Sequence, residues 1–332
     1  MDNFLWELSL FLVSSLWAIS MGASGFSVSF ATLYSTKRVG LLMCMLLFTV
    51  FLLIGAVFVG GEVAKTLSSK IIPKEVLSTK KWLVVIILFS AGVNLFVSNL
   101  LKVPSSTSII IMTSFLGAGL YLWNVYWNTF ILSLVVFISS FVLTYFSTFF
   151  LTKLFYPPRY SNLWVYEKLL NKKEFLFILV LVTSIYNAFS IGTNNVSNVV
   201  GPVAATDIMG EFEGFILFSL LFGLGALLMG KRVIKTVGDE IVPMGVVSAS
   251  IVSIVSSTFT VLSSLIGLPF PTVIVVASSI IAVSTVKKEI SHLYSLKSPL
   301  TKKILIVWTF STILPTITTY LMCHLFSSLG LI

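Results

Sequence analysis

Charge is scarce in this sequence. Asp, Glu, Lys and Arg together make up 10% of 332 residues, and there are only two histidines and two cysteines. So few charges cannot clothe a water-soluble domain, and none is expected. Cys44 and Cys323 lie in separate apolar runs without metal-type spacing, and His292 and His324 have no clustered partners, so no metal site is expected. The chain has no H-E-x-x-H, no G-x-S-x-G and no paired intramembrane aspartates. Hydrolytic chemistry therefore lacks its residues, and the expectation is a non-enzyme without a cofactor. The net charge of +9 does not signal a nucleic-acid partner, because all of the 21 Lys and Arg except Lys102 fall in segments 35–40, 61–81, 152–174, 230–243 and 287–303. Short basic clusters between apolar runs are interfacial loops, not a basic groove.

What the chain has in quantity is hydrocarbon: 57% of residues are hydrophobic and the mean hydropathy is +1.05. Apolar stretches of roughly 17–25 residues, each long enough to span a bilayer, recur from end to end. The expected class is an all-α polytopic protein of the cell membrane, with lipid as its solvent. The first run follows Asp2 and Glu7, not Lys or Arg, and reads as a retained span, not a secretory signal.

The chain is also written twice. GGEVAKTLSSKIIP (60–73) and GKRVIKTVGDEIVP (230–243) share Gly, Val, Lys, Thr, Ile and Pro at a constant offset of 170. At the same offset Ala18, Ser20, Gly22 and Ser27 recur as Ala188, Ser190, Gly192 and Ser197, and at offset 165 Pro104 and Thr107 recur as Pro269 and Thr272. Two repeats, 1–151 and 175–332, are expected on either side of a polar linker, 152–174. Each holds about five apolar segments: near 4–34, 39–60, 83–101, 104–123 and 125–151, then near 175–208, 213–229, 244–266, 270–286 and 304–328. An odd number of crossings per half would invert the second repeat. The charge rule leaves orientation open, because Lys-rich loops fall at positions that inverted repeats put on opposite faces.

NAFSIGTNNVSNVVGP (187–202) places Asn187, Thr193, Asn194, Asn195, Ser197 and Asn198 where lipid should be. Amides are expensive there unless they are bonded or used. Interrupted apolar segments at matching places in two halves point to a transporter site, so breaks are expected at 20–29 and 190–201, with half-helix N-termini facing an anion. Isolated hydroxyls such as Ser133 and Thr144 read instead as helix-packing groups. The PSST stretch (104–107) can start a half-helix or kink a span.

At these residues the sequence resembles the inorganic phosphate transporter (PiT) family, whose duplicated signature has the form G-A-N-D-V-A-N-A. GTNNVSNVVGP is similar to its second copy, GKRVIKTVGDEI to the segment that follows, and VPSST and LPFPT to its L-P-V-S-T-T-H segments. The resemblance implies two inverted-topology repeats with broken or re-entrant helices at the midplane, and an oxyanion bound between them. Both signature carboxylates are missing: Ser24-Gly25 and Asn194-Asn195 stand where the family has Asn-Asp. MGASGFSVSFATLY with GAVFVGGEVAKTLSSKIIP is similar to the sulfate permease branch, which implies sulfate as substrate, sulfate assimilation as its use, and proton coupling.

Electrostatics favours the same branch. Phosphate keeps a proton with a pKa near ~6 that can bond a carboxylate, whereas fully ionised sulfate has none to give and would be repelled. Sodium, a hard cation, also loses its charge-compensating ligands, although carbonyls can still hold it. The expected function is therefore sulfate import, with phosphate as the alternative substrate, sodium as the alternative coupling ion and an anion channel as the remaining rival. The candidate binding residues are Gly22, Ala23, Ser24, Gly25 and Ser27 in the first copy, and Gly192, Thr193, Asn194, Asn195 and Asn198 in the second. Ser105, Ser106, Thr107 and Thr272 join them from the Pro-led segments. Glu62 and Asp207 are the candidate proton carriers, although for each the reading as an interfacial charge is favoured. Lys65 and Lys235 can guide the anion or cap helices. The sequence allows a homodimer.

Overall fold

A computed structural model describes residues 2–100, 105–167, 172–241, 245–287 and 299–332, and the described residues contain helices and no strands. The chain opens with α1 (Asp2–Ser35), α2 (Leu41–Val59), the short α3 (Gly61–Ser69) and α4 (Lys74–Thr79), then α5 (Lys81–Leu100), α6 (Thr107–Tyr121) and α7 (Trp127–Phe155). A single turn, α8 (Leu163–Val165), precedes α9 (Lys173–Ile191), which runs through a π-turn at Gly192–Val196 into α10 (Ser197–Ala204). The chain closes with α11 (Glu211–Ile241), α12 (Val246–Leu265), α13 (Thr272–Lys287) and α14 (Pro299–Ser328). Among the described residues seven helices are long and apolar enough to cross a membrane, and the protein is a multi-pass membrane protein.

Two helices are too short to cross. At 15 and 16 residues and 1.5 Å per residue, α6 and α13 fall short of the ~30 Å hydrocarbon core. Each follows an extended or sharply turned segment. Ser106 before α6 has φ −87° and ψ 120°, and Gly267 before α13 sits at φ +75°, a left-handed conformation that side chains disfavour. Both are re-entrant: they turn back inside the bundle, α6 packing against α14 and α13 against α7.

Contacts between helix ends separate the bundle into two ends. At one, Lys81 stacks its ammonium over Trp6, Lys74 pairs with Asp207 at 2.7 Å, and the Tyr126 N–H donates to the Ile71 carbonyl. At the other, Arg38 pairs with Glu174 at 2.9 Å and Lys287 lies over Tyr156. The helix α1 therefore runs from the first end to the second, and α9–α10 from the second to the first. Both stop in the same turn: Thr36 and Thr206 hydroxyls donate to the carbonyls three residues back, and Lys37 and Asp207, 170 apart, both have φ +58°.

The duplication reappears as an exchange of backbone contacts. A Cβ on Gly22 would collide with the Phe222 carbonyl of α11, and one on Gly192 with the Leu52 carbonyl of α2. Likewise Gly225 backs onto the Ile19 carbonyl, and Gly55 onto that of Phe189. Adding or subtracting 170 turns each contact of the first crossing into one of the second. Small residues let these helices touch through their backbones, the usual way apolar helices associate in lipid.

These crossings correct one expectation. The helix α1 is unbroken through 20–29, because Gly22 serves close packing and not a turn. Ser24, Ser27 and Ser29 satisfy their hydroxyls on the carbonyls of Met21, Ser24 and Gly25, so no free backbone is left for a ligand there. The break expected at 190–201 is a π-turn within a helix that runs from Lys173 to Ala204. The half-helix N-termini inside the bundle belong to α6 and α13.

Candidate functional site

The π-turn is where the tips of α6 and α13 meet. A π-turn widens the helix by one residue and turns side chains that would otherwise be staggered toward one side. Here the Asn194 Nδ2 group donates to Ser108 Oγ at the start of α6 (3.0 Å) and to the Phe270 carbonyl just before α13 (2.9 Å). The Phe270 N–H returns a bond of 2.8 Å to Asn194 Oδ1. One carboxamide thus bridges both re-entrant segments. A turn later Asn198 Nδ2 donates to Ser108 Oγ at 3.2 Å and Thr107 Oγ1 at 3.4 Å, and Asn195 Oδ1 accepts from Asn194 Nδ2 at 2.9 Å.

The hydroxyls of this cage are left with protons to give. Ser108 Oγ accepts from two amides and Thr107 Oγ1 from one, yet neither donates to any described residue. Ser106 Oγ is buried without any partner among the described residues, as is Asn198 Oδ1. Three hydroxyls with protons to give therefore occupy successive residues at the N-terminal turn of α6, whose first N–H groups have no intrahelical acceptor. Together with the partial positive charge of that terminus they suit an anion. None of these residues is a carboxylate.

The other candidate residues lie around this cage in various ways. Thr193 donates to the Ser190 carbonyl and to Ser264 Oγ of α12 (3.0 Å), which locks the π-turn to its neighbour. Gly192 packs on α2. Ser105 is buried beside Ser106. Thr272 is the first residue of α13 and half-buried; its backbone N–H donates to the Phe270 carbonyl at 2.9 Å, while its side chain takes no part in the cage's hydrogen bonds. In the first copy, Gly22 and Ala23 are buried in helix packing, Gly25 faces Ile191 and Phe48, Ser27 is buried, and Ser24 is exposed. The structure therefore brings the second copy and the α6 tip together and keeps the first copy's side chains off the cage. Ser108 and the Phe270 backbone were not among the sequence candidates. Ser108 is the last residue of the KVPSSTS stretch, one residue beyond the candidates Ser105, Ser106 and Thr107.

The carboxyls of Glu62 and Asp207 are exposed at one end of the bundle, while the Glu62 backbone packs on Gly267, three residues before Phe270. Glu62 pairs with Lys65 at 2.7 Å, and that hydrogen bond holds its exposed carboxyl below the usual range. Asp207 pairs with Lys74 and lines a cleft of about 210 Å³ with Ser68, Ala204 and Glu211. The side chain of Lys235, like residues 102–104 and 243, lies outside the described residues.

A neutral, donor-rich cage between re-entrant helices of a multi-pass bundle defines the class: a membrane transporter for an inorganic anion. Comparison with known proteins gives the family. A model of the phosphate transporter family matches residues 21–319, and the chain belongs to that family. It is 33% identical over 325 residues to the sulfate permease CysP of Bacillus subtilis, covering 96% of this chain and 88% of that one. A shorter match, 30% over 135 residues, links it to sodium-dependent phosphate transporter 2 of Xenopus tropicalis, covering 37% of this chain and 21% of that one. A solved sodium-dependent phosphate transporter superposes with a TM-score of 0.80 at 22% identity, covering 99% of this chain and all of that one, so the two share a fold.

Proposed function

We propose that this protein imports inorganic sulfate by proton-coupled alternating access, the two halves, 1–151 and 175–332, acting as inverted repeats joined by segment 152–174. The observation that carries the proposal is the cage itself: hydroxyl protons of Ser106, Thr107 and Ser108 without acceptors, and no carboxylate among them. Such a set binds an ion that only accepts hydrogen bonds. The sulfate permease among the relatives supports the same choice.

Charge supports an orientation. Lys37, Arg38, Lys153, Arg159, Lys172, Lys173, Lys231 and Lys287 gather at the Arg38–Glu174 end, against Lys65, Lys70, Lys74, Lys80 and Lys81 at the opposite end. The positive-inside rule makes the Arg38 end cytoplasmic. Glu62 and Asp207 then lie at the outer end, where a coupling proton would be taken up. Phosphate with sodium is the second reading, favoured by one atom: Asn198 Oδ1 is an acceptor without a donor, and hydrogen phosphate would bring one.

Uptake of labelled sulfate by the purified protein in vesicles, with proton and sodium gradients imposed separately and phosphate, chromate and molybdate as competitors, tests this. Saturable sulfate uptake that stops when the proton gradient collapses is expected. Phosphate flux without sulfate flux reverses the substrate, and non-saturating flux indifferent to the gradient makes the protein a channel. The selectivity argument has its own check. Asn195→Asp puts a carboxylate beside the cage and is expected to reduce sulfate uptake by at least ~10-fold more than phosphate uptake, on the scale of ~1.4 kcal/mol of added repulsion. Equal loss for both ions would contradict it.

A further inference from the structure

The cage does not use Asn187, the first amide of the polar stretch. This residue is 5% exposed, deep in the bundle, and its one side-chain partner among the described residues is Ser29 of α1, whose Oγ lies 3.4 Å from Oδ1 and also donates to the Gly25 carbonyl at 2.9 Å. Its Nδ2 group donates to no described residue. An amide left in this state inside a membrane bundle is costly unless something visits it.

The neighbouring helix has a matching vacancy. α12 runs alongside α9 in the same direction, with Ser250 accepting from Thr183, Thr258 from Tyr186 and Ser264 from Thr193. Ser257 is seven residues from both Ser250 and Ser264. Two helical turns apart means the same face, so Ser257 points toward α9 at the level between Thr183 and Thr193, which is the level of Asn187. It is 1% exposed and its hydroxyl has no partner among the described residues. Two donor side chains, Asn187 of α9 and Ser257 of α12, thus lie at one height.

That height is on the cytoplasmic side of the cage in the orientation proposed above. Asn187 precedes Asn194 by seven residues, about 10 Å along the helix, toward the Arg38–Glu174 end. We infer that Asn187 and Ser257 form a second, neutral station for the same oxyanion, occupied after it leaves the Asn194 cage and before it reaches the basic cytoplasmic mouth. The inference rests on the anion reading of the cage. Two dianions so close repel each other strongly at low dielectric, so the stations are filled in turn and not together. A carboxamide and a hydroxyl, without a cation, hold the ion weakly enough to let it go, as a release step requires.

The test uses the full-length protein in vesicles, with labelled sulfate for uptake and equilibrium sulfate binding measured on the same samples. Asn187→Leu keeps the side chain's size and removes its donors. It should lower the uptake rate ~5- to 20-fold while changing sulfate binding less than ~2-fold, with Asn187→Ser recovering much of the rate. Ser257→Ala separates the station from a structural role. Deleting a buried hydroxyl that bonds to nothing leaves stability unchanged or raised, so a merely structural Ser257 predicts wild-type flux, whereas the station predicts flux ~3-fold slower with an unchanged melting temperature. Should Asn187→Leu fail to fold, Ser257→Ala alone decides. Wild-type flux in Ser257→Ala overturns the second station, and if Asn194→Ala has lost binding at the same time, the cage stands without it. Retention of sulfate binding by Asn194→Ala removes the cage and the station together.

Discussion

Asn194→Ala is expected to reduce sulfate uptake by ~100-fold or more while the protein still inserts and folds. The carboxamide makes four contacts: its two Nδ2 hydrogens are shared among Ser108 Oγ, Asn195 Oδ1 and the Phe270 carbonyl, and its Oδ1 accepts from the Phe270 N–H. Alanine leaves the Phe270 N–H unpaired, takes one of two donors from the Phe270 carbonyl, which keeps the Thr272 N–H at 2.9 Å, and frees the tips of α6 and α13 to drift apart. Each buried group so orphaned costs about 1–3 kcal/mol, and ~2.7 kcal/mol is already a hundredfold in rate. The hydrophobic core runs from Phe26, Phe30, Phe48 and Phe222 to Ile109 and Val196 beside the cage and keeps its apolar side chains in this variant, so the melting temperature should fall by only a few degrees. Sulfate binding and uptake, measured with circular dichroism as the folding control, decide it; normal binding would remove Asn194 from the site.

The second large effect concerns the fold. Gly22→Ala and Gly192→Ala should each destabilise the protein by about 2–4 kcal/mol, the cost of overpacking a contact that cannot yield. The atom each new methyl would meet is a backbone carbonyl, that of Phe222 or Leu52, not the far end of a flexible side chain. Because the two crossings are copies of each other, the losses should be equal within ~1 kcal/mol, and additive in the double variant because the two sites share no partner. Gly92→Ala is the control. Nothing approaches that position within 4 Å, and alanine should be neutral or gain up to ~1 kcal/mol from helix propensity. Denaturation in mild detergent measures all four; tolerance of alanine at 22 and 192 would mean that the glycines serve something other than packing.

These glycines mark the limit of what could be read from the chain. The helices follow the apolar runs closely, since length and hydropathy are local properties. The Asn194–Asn198 cluster was legible because three amides in five residues have no bland use in lipid. Gly22 and Gly25 were misread as a break because a small residue permits either a turn or a close approach, and only the presence of Phe222 opposite selects between them. Ser108 and the Phe270 backbone were missed for a related reason. They join the cage because two re-entrant helices, more than 150 residues apart in sequence, end at one carboxamide. The seven-residue spacing of Ser250, Ser257 and Ser264 is visible in the sequence, but it acquires meaning only once α12 lies along α9.

The exchanged backbone contacts also bear on how the protein is made. Gly22 waits for the Phe222 carbonyl, which the ribosome delivers roughly 200 residues later, or about 10–40 s at the usual ~5–20 residues per second. Throughout that interval the first helix lies in the bilayer without its counterpart, its small-residue seam open to any other chain with a similar seam. Biogenesis of this protein therefore has a long vulnerable period early in translation, in which an insertase or chaperone that shields the nascent N-terminal half would raise the yield of correctly assembled molecules.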